Sequence, residues 1–166
     1  MSKKIIIACI DTMYGLGKNN DLLYHIPADM KHFKETTTGN TVIMGYMTFV
    51  SLGSKPLPNR RNIVISEQPL TAEGVEVVST LDESFKISED DEKVYVIGGA
   101  YTYKQAIEFV DELDITLVET VKPADVYFPT INNLEWTCVK QDFHNKSESN
   151  SGGYNYVFNT YIRKVN

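Results

Sequence analysis

What this chain has little of narrows its class before any motif is read. Cysteine occurs twice in 166 residues, at Cys9 and Cys138. Two thiols so far apart make neither a disulfide framework nor a metal-ligand cluster, and they point to buried free thiols in a reducing compartment. The three histidines, His25, His32 and His144, have no ligand spacing with cysteine, so no metal site is expected. Positive charge is also short: 16 basic against 22 acidic residues give a net charge of −6. That balance excludes a general nucleic-acid binder or a membrane-surface protein. Long hydrophobic runs are missing. The apolar run Ile5–Ile10 is cut off by Asp11, too early for a signal-peptide core or a membrane span. Without a leader, the sequon Asn145-Lys146-Ser147 reads as a chance match, and a cytoplasmic location is expected. No repeat, low-complexity tract or Gly/Ser linker divides the chain, which predicts one domain over residues 1–166.

What is present is an alternation of apolar, β-rich runs with helical patterns. Ile5–Ile10 reads as a buried strand, followed by a long polar loop from Asp11 to His25. Pro27 opens a helix that runs to about Thr37 and stops at Gly39. Thr41–Met44 is a short buried strand ending at Gly45, and a helix is predicted over Met47–Leu52. Asn62–Ser66 and Val75–Val78 read as short strands. Thr80 with Glu83 makes a capping box for a helix to about Ile87. Lys93–Ile97 is a buried strand that runs into Gly98-Gly99 and a helix from Ala100 to about Phe109, and Leu113–Thr120 is a further strand. Thr137–Phe143 and Tyr154–Ile162 alternate and are joined by a polar loop, so they predict an antiparallel hairpin. Buried strands joined through helices imply a sheet covered on both faces. The expected fold is an α/β class, three-layer α/β/α sandwich with a central, mostly parallel sheet and a C-terminal antiparallel hairpin. Ligands should sit at the carboxyl ends of its strands.

Three stretches carry chemistry. Ile26-Pro27-Ala28-Asp29-Met30-Lys31-His32-Phe33 puts a carboxylate in the first turn of a helix, with Phe33 four residues on and on the same face. Such a pair offers an acceptor and a ring to a flat heterocycle, although an acid there also complements the helix dipole. Val94-Tyr95-Val96-Ile97-Gly98-Gly99-Ala100 is a strand, a glycine pair and a helix start, and Met44-Gly45 followed by Thr48 is a second such junction. Glycines let the backbone approach a pyrophosphate, and a dinucleotide laid across strand ends needs two such places. The basic run Lys55-Pro56-Leu57-Pro58-Asn59-Arg60-Arg61 is a local anion-binding candidate in an acidic chain.

These motifs converge on a family. Tyr14-Gly15-Leu16, the Ile26–Asp29 helix start, Val42-Ile43-Met44-Gly45 with Thr48-Phe49, Pro56–Asn62, Val96-Ile97-Gly98-Gly99 and Tyr127-Phe128-Pro129 occur in order. Together they resemble dihydrofolate reductase from Ile5 to Ile162. The resemblance implies NADPH-dependent reduction of 7,8-dihydrofolate to 5,6,7,8-tetrahydrofolate, a step feeding one-carbon and thymidylate metabolism and a target of antifolates. It implies catalytic roles for Asp29, Tyr24 and Thr116. Asp29 would accept two hydrogen bonds from the pterin's N3 and 2-amino group, with Thr116 bonded to it from a neighbouring strand. Ile7, Phe33, Lys34, Leu57, Arg60 and Ile97 would complete the substrate site, with Arg60 on the α-carboxylate of the glutamate tail. Ile7, Tyr14, Gly15, Gly45, Tyr46, Thr48, Ser66, Glu67, Gly98, Gly99, Ala100, Tyr101 and Tyr103 would receive the cofactor. The segment from Asp11 to His25 would be a mobile lid.

The chain departs from the family pattern in four places. Tyr24 stands where tryptophan is usual, and the lid is about two residues longer through Gly17–Asp21. Tyr46 and Tyr101 stand where many members carry arginines for the cofactor's 2′-phosphate. A related pteridine or pyrimidine reductase of the same fold, and a non-catalytic folate- or nucleotide-binding protein, remain as alternatives. A monomer acting on a small molecule is expected, with no nucleic-acid or membrane partner.

Overall fold

The computed structural model describes residues 1–165. In chain order the elements are β1 (Lys3–Asp11), β2 (Gly15–Lys18), β3 (Asp21–Leu22), α1 (Pro27–Thr37), β4 (Thr41–Gly45), α2 (Tyr46–Ser51), β5 (Arg61–Ile65) and β6 (Val75–Val78). They continue with α3 (Leu81–Ile87), β7 (Lys93–Val96), α4 (Ala100–Ala106), β8 (Glu112–Val118), β9 (Val126–Tyr127), β10 (Trp136–His144) and β11 (Tyr156–Arg163). Eight strands form one sheet in the order β10-β11-β8-β1-β7-β4-β5-β6. β1 lies in its middle, parallel to β7 and β8, which explains why its sequence is apolar on both faces.

The alternation of side chains along each strand divides the core in two. Ile6, Ala8, Ile10, Ile43, Ile63 and Val96 face α3 and α4, packing against Leu81, Tyr103 and Ala106. Ile5, Ile7, Val42, Met44 and Val64 face the other way, onto Phe49 of α2 and Phe33 of α1. The expected three-layer sandwich is therefore present, and the hairpin pairs antiparallel to β8 through β11. Thr80 accepts the Glu83 N–H at 3.1 Å, as a capping box requires, while the Glu83 carboxylate takes the N–H of Ser79 rather than that of Thr80.

Three expectations are corrected. The segment from Asp11 to His25 is not a plain loop: β2 and β3 pair with each other, and β2 pairs with β9 in a small second sheet. Strands of two to four residues are too short to show an alternation, and β9 lies a hundred residues away in the chain. α4 ends at Ala106, short of Phe109. Tyr154 precedes β11 instead of belonging to it, and its ring meets Tyr24 edge-on at 5.2 Å.

Candidate active site

The sheet brings the carboxyl ends of β1, β4, β7 and β8 side by side. α1 begins beside them. Its first turn is fixed from outside, because the N–H of Ala28 donates to the carbonyl of Asn150 at 3.0 Å. Gly152 makes that contact feasible: it sits at φ +65°, and a Cβ there would lie 2.8 Å from the His25 carbonyl oxygen. The hairpin loop thus sets where α1 starts, and with it where Asp29 points.

Asp29 is half-buried against β1 and β8. Thr116 Oγ1 donates to its Oδ1 at 2.6 Å. Burial pushes the Asp29 pKa up. The Thr116 hydroxyl, the nearby His32 and the Cys9 thiol pull it back without cancelling the effect. Cys9 itself is held as a thiol, raised by burial and by the carboxylate of Asp29. Ile7 lines the same side and is buried, with Phe33, Leu57 and Ile97 packed partly buried in the same apolar cluster. Lys34, by contrast, is exposed.

Arg60 is oriented before any ligand arrives. Its Nε donates to the Pro58 carbonyl at 2.9 Å and its Nη1 to Thr37 Oγ1 at 3.1 Å. Arg61, the neighbour in sequence and the first residue of β5, points elsewhere. It forks onto Glu76 at 2.6 and 2.8 Å and reaches Asp91 at 2.9 Å. The basic run therefore splits, and one arginine of the pair is committed to structure.

The two glycine junctions are in contact. The Gly45 N–H donates to the Gly98 carbonyl at 2.8 Å. A Cβ on Gly45 would lie 2.8 Å from Thr102 Oγ1, and one on Gly98, at φ +127°, would crowd Thr48 Oγ1 and the Tyr103 ring at 3.4 Å. A backbone ledge free of side chains results, with Thr48 facing both Gly98 and Gly99. Tyr103 is buried beneath it and donates to the Ile7 carbonyl at 2.7 Å. Tyr46 and Tyr101 are exposed at the starts of α2 and α4. Tyr101 lines a cleft of about 410 Å³ with Ala100, Lys104 and Tyr127. Ser66 is buried and donates to the Gln68 carbonyl at 2.8 Å, whereas Glu67 is exposed beside it.

Tyr24 reaches a second buried carboxylate: its hydroxyl donates to Asp11 Oδ2 at 2.6 Å. Asp11 is fully buried at the end of β1 and also accepts the N–H groups of Gly15 and Met13 at 2.9 and 3.0 Å. Burial pushes Asp11 up, but the hydrogen bonds from Tyr24, Gly15, Lys122 and Met13 outweigh it and hold its pKa below the usual carboxylate value. Lys122 clamps the same segment, donating to the Leu23 carbonyl at 3.0 Å while its ammonium lies 4.8 Å over the Tyr24 ring. Tyr14 sits at φ 65°, next to Gly15, where a Cβ would lie 2.8 Å from Leu23 Cδ1.

Sequence reasoning missed Asp11, Cys9, Lys122 and the pair His32–Asp114, which meet at 3.0 Å. Two signals were available for that pair. His32 is three residues from Asp29 on α1 and so shares its face, and Asp114 is two residues from Thr116 on β8 and so shares its face.

Comparison with known proteins agrees with this geometry. A family model described as dihydrofolate reductase matches residues 4–163. Dihydrofolate reductase type 3 of Salmonella typhimurium is 38% identical over 153 residues, covering 92% of this chain and 94% of that one. The dihydrofolate reductase of Bacillus subtilis is 37% identical over 159 residues, covering 95% and 93%. Among solved structures, the dihydrofolate reductase of Enterococcus faecalis complexed with NADP(H) and RAB-propyl superposes with a TM-score of 0.91. That match is 31% identical and covers 98% of this chain and 97% of the other.

Proposed function

This chain belongs to the dihydrofolate reductase family, and from that premise we propose that it reduces 7,8-dihydrofolate to 5,6,7,8-tetrahydrofolate at the cleft between α1 and the glycine ledge. One observation carries the reading. Asp29 is a carboxylate in an apolar pocket whose hydrogen bond from Thr116 fixes its plane and leaves acceptor capacity free. A carboxylate held this way suits the paired donors of a pterin, N3–H and the 2-amino group, in a charge-assisted, bidentate contact.

The ledge fits NADPH. Gly45, Gly98 and Gly99 keep side chains off the backbone. Together with Thr48, Ala100 and Tyr101 they would hold the phosphates, while Ile7, Ile97, Tyr14, Gly15 and Tyr103 would border the nicotinamide. When bound, the reduced nicotinamide supplies the hydride that the substrate receives at C6. The remaining chemistry belongs to the chain. Asp29 orients the pterin, and its negative field favours the proton that N5 must gain, so that one C=N bond is reduced by one hydride and one proton. Ile7 and Phe33 hold the ring in line. Arg60, already turned by Pro58 and Thr37, takes the α-carboxylate of the glutamate tail. The segment from Asp11 to His25 excludes water when closed, and the Tyr24–Asp11 bond and the Lys122 clamp support it at its base.

We read residues 1–166 as a single catalytic domain, monomeric and cytoplasmic, without a nucleic-acid or membrane partner. The net charge of −6 argues against a nucleic-acid partner, and no helix among the described residues is long and apolar enough to cross a membrane. The test is the decay of NADPH absorbance on addition of dihydrofolate. Decay that a diaminopyrimidine antifolate blocks is the expected result. No decay with either reduced cofactor would overturn the reading.

A further inference from the structure

Two bridges tie α1 to β8, and the function proposed above uses only one of them. Asp29 meets Thr116. One helical turn later, His32 Nε2 lies 3.0 Å from both carboxylate oxygens of Asp114. The register places them in adjacent rungs: Cys9 of β1 stands opposite Thr116 and Ile7 opposite Asp114, while Phe158 and Thr160 of β11 flank them on the other side. Phe158 stacks on the His32 ring at 4.4 Å and 26°. The side chains of His32 and Asp114 are only 27% and 18% exposed. Packing face-on against a ring, with one nitrogen between two carboxylate oxygens, restricts the rotamers open to His32.

We propose that His32, held by Asp114, is a positioning residue for Asp29: it pins the first turns of α1 to β8 and supplies the positive field against which Asp29 keeps its negative charge. The proposal deepens the reading of Asp29 as the pterin-binding carboxylate and rests on it.

The groups facing the pair are few. Around Asp29 stand His32 on its own helix, Thr116 and Asp114 on β8, Cys9 on β1, and the phenols of Tyr103 and Tyr156. Around His32 stand Asp114, Asp29 and Glu35. The bond to Asp114 raises the His32 pKa and burial opposes it, with Asp29 and Glu35 adding to the rise. The carboxylate of Asp114 thus favours the charged form of His32, and the pull of that charge on Asp29 exceeds the push from Asp114. The carboxylates of Asp29 and Asp114 both act on the one imidazole. Taking the imidazole away leaves both carboxylates facing each other in a poorly solvated corner.

The experiment is a ¹³C titration of the Asp29 carboxyl in ligand-free protein, its resonance identified by its loss in Asp29→Asn. His32→Gln is expected to raise the Asp29 midpoint by about one pH unit, a tenfold shift in its protonation equilibrium. The double variant with Asp114→Asn should bring the midpoint part of the way back, because it removes the extra anion as well. His32→Lys, which keeps a cation but not the ring, should stay nearer to wild type than His32→Gln. An Asp29 midpoint unmoved in folded His32→Gln would overturn the proposal and leave the pair as a fastener of the helix. Should His32→Gln not fold, Asp114→Asn decides: the His32 imidazole must then titrate about one unit lower, and an unmoved imidazole overturns the proposal. Because no turnover is read, failure here is distinct from failure of the functional reading. A shifted midpoint with no binding of a diaminopyrimidine would support the pair and refute the role of Asp29.

Discussion

The two halves of the proposed site are built differently. Around α1 and β8 the side chains that would meet substrate are braced by other groups: Asp29 by Thr116, and Arg60 by Thr37 and the Pro58 carbonyl. Along the ends of β4, β5 and β7 the chain offers bare backbone at Gly45, Gly98 and Gly99, flanked by the exposed rings of Tyr46 and Tyr101. A braced side chain loses little further entropy on binding, so it discriminates between ligands by geometry. A glycine ledge accepts any pyrophosphate and leaves discrimination to whichever groups rim it. The substrate half should thus be unforgiving of substitution and the cofactor half permissive.

Asp29→Asn tests the unforgiving half most severely. The amide cannot accept both pterin bonds, and it removes the charge that favours a protonated N5. A group of this kind contributes roughly 10²–10⁴-fold to rate. Turnover within a few-fold of wild type at pH 7 would break the comparison. The same substitution should stabilise the fold near neutrality. The folded-state pKa of Asp29 is raised, so ionised Asp29 costs stability above that pKa, and the cost is relieved as pH falls through it. A higher Tm for the Asp29→Asn variant at pH 7, with the gap to wild type closing toward acid pH, is the expected thermal signature.

Arg60→Ala comes next. A charge-assisted hydrogen bond contributes about 1.5–3 kcal/mol, so dihydrofolate affinity should fall at least ~10-fold while cofactor affinity holds. A folate analogue without the glutamate tail should bind variant and wild type alike. If that analogue discriminates as strongly as folate does, Arg60 is not the partner of the tail.

Tyr24→Phe probes the lid's base, where the second buried carboxylate sits. Asp11 and Asp29 are both removed from water, yet their pKa values move in opposite directions. Four hydrogen bonds outweigh the burial of Asp11, whereas the Thr116 hydroxyl, His32 and the Cys9 thiol do not outweigh the burial of Asp29. Because the folded pKa of Asp11 is depressed, its contribution is present above the unfolded value and is lost as pH falls through the folded one. Removing one donor should cost about 0.5–1.5 kcal/mol at neutral pH. Urea unfolding should show that difference shrinking in acid. A difference that grows in acid would refute the account.

Local signals were legible in the sequence, and pairings across long chain separations were not. Pro27 and the apolar run of β1 announced their elements, and the two glycine junctions announced the ledge. Arg60 and Arg61 could not be told apart from composition, because what separates them is the positions of Thr37, Glu76 and Asp91 in the fold. His32 and Asp114 lie 82 residues apart, and only the packing of α1 on β8 brings them together. The small sheet of β2, β3 and β9 was invisible for a related reason: each strand is short, and its partner is set by tertiary structure. Asp29 in isolation reads as a first-turn acid, and only its place in an ordered set of motifs makes it a pterin-binding candidate.

The smallest effect is expected at the rim of the cofactor half. The resemblance puts the 2′-phosphate near Tyr46 and Tyr101, where many members carry arginines, and the adenosine ribose near Glu67. The register is compatible, since Gly45 pairs with Ile65 and so Tyr46 and Ser66 leave the sheet at one level. Arg61 is committed to Glu76 and Asp91, and the Ser66 hydroxyl is committed to Gln68. Lys104 shares the cleft of Tyr101 and is a cation that could meet a phosphate there. With two charged contacts of about 1.5–3 kcal/mol each missing, the preference for NADPH over NADH in kcat/KM should stay below about a thousandfold. Glu67 works in the same direction, because a carboxylate repels a phosphate and accepts a hydrogen bond from a free 2′-OH. Its side chain is exposed and its charge is screened, so Glu67→Gln should raise the NADPH preference only about two- to fivefold. Lys104→Ala should lower it by a similar factor if that lysine carries the phosphate contact. A preference above a thousandfold in wild type, or one that Glu67→Gln leaves unmoved, would show that the rim recognises the 2′-phosphate through other groups and that the cofactor half is as selective as the substrate half.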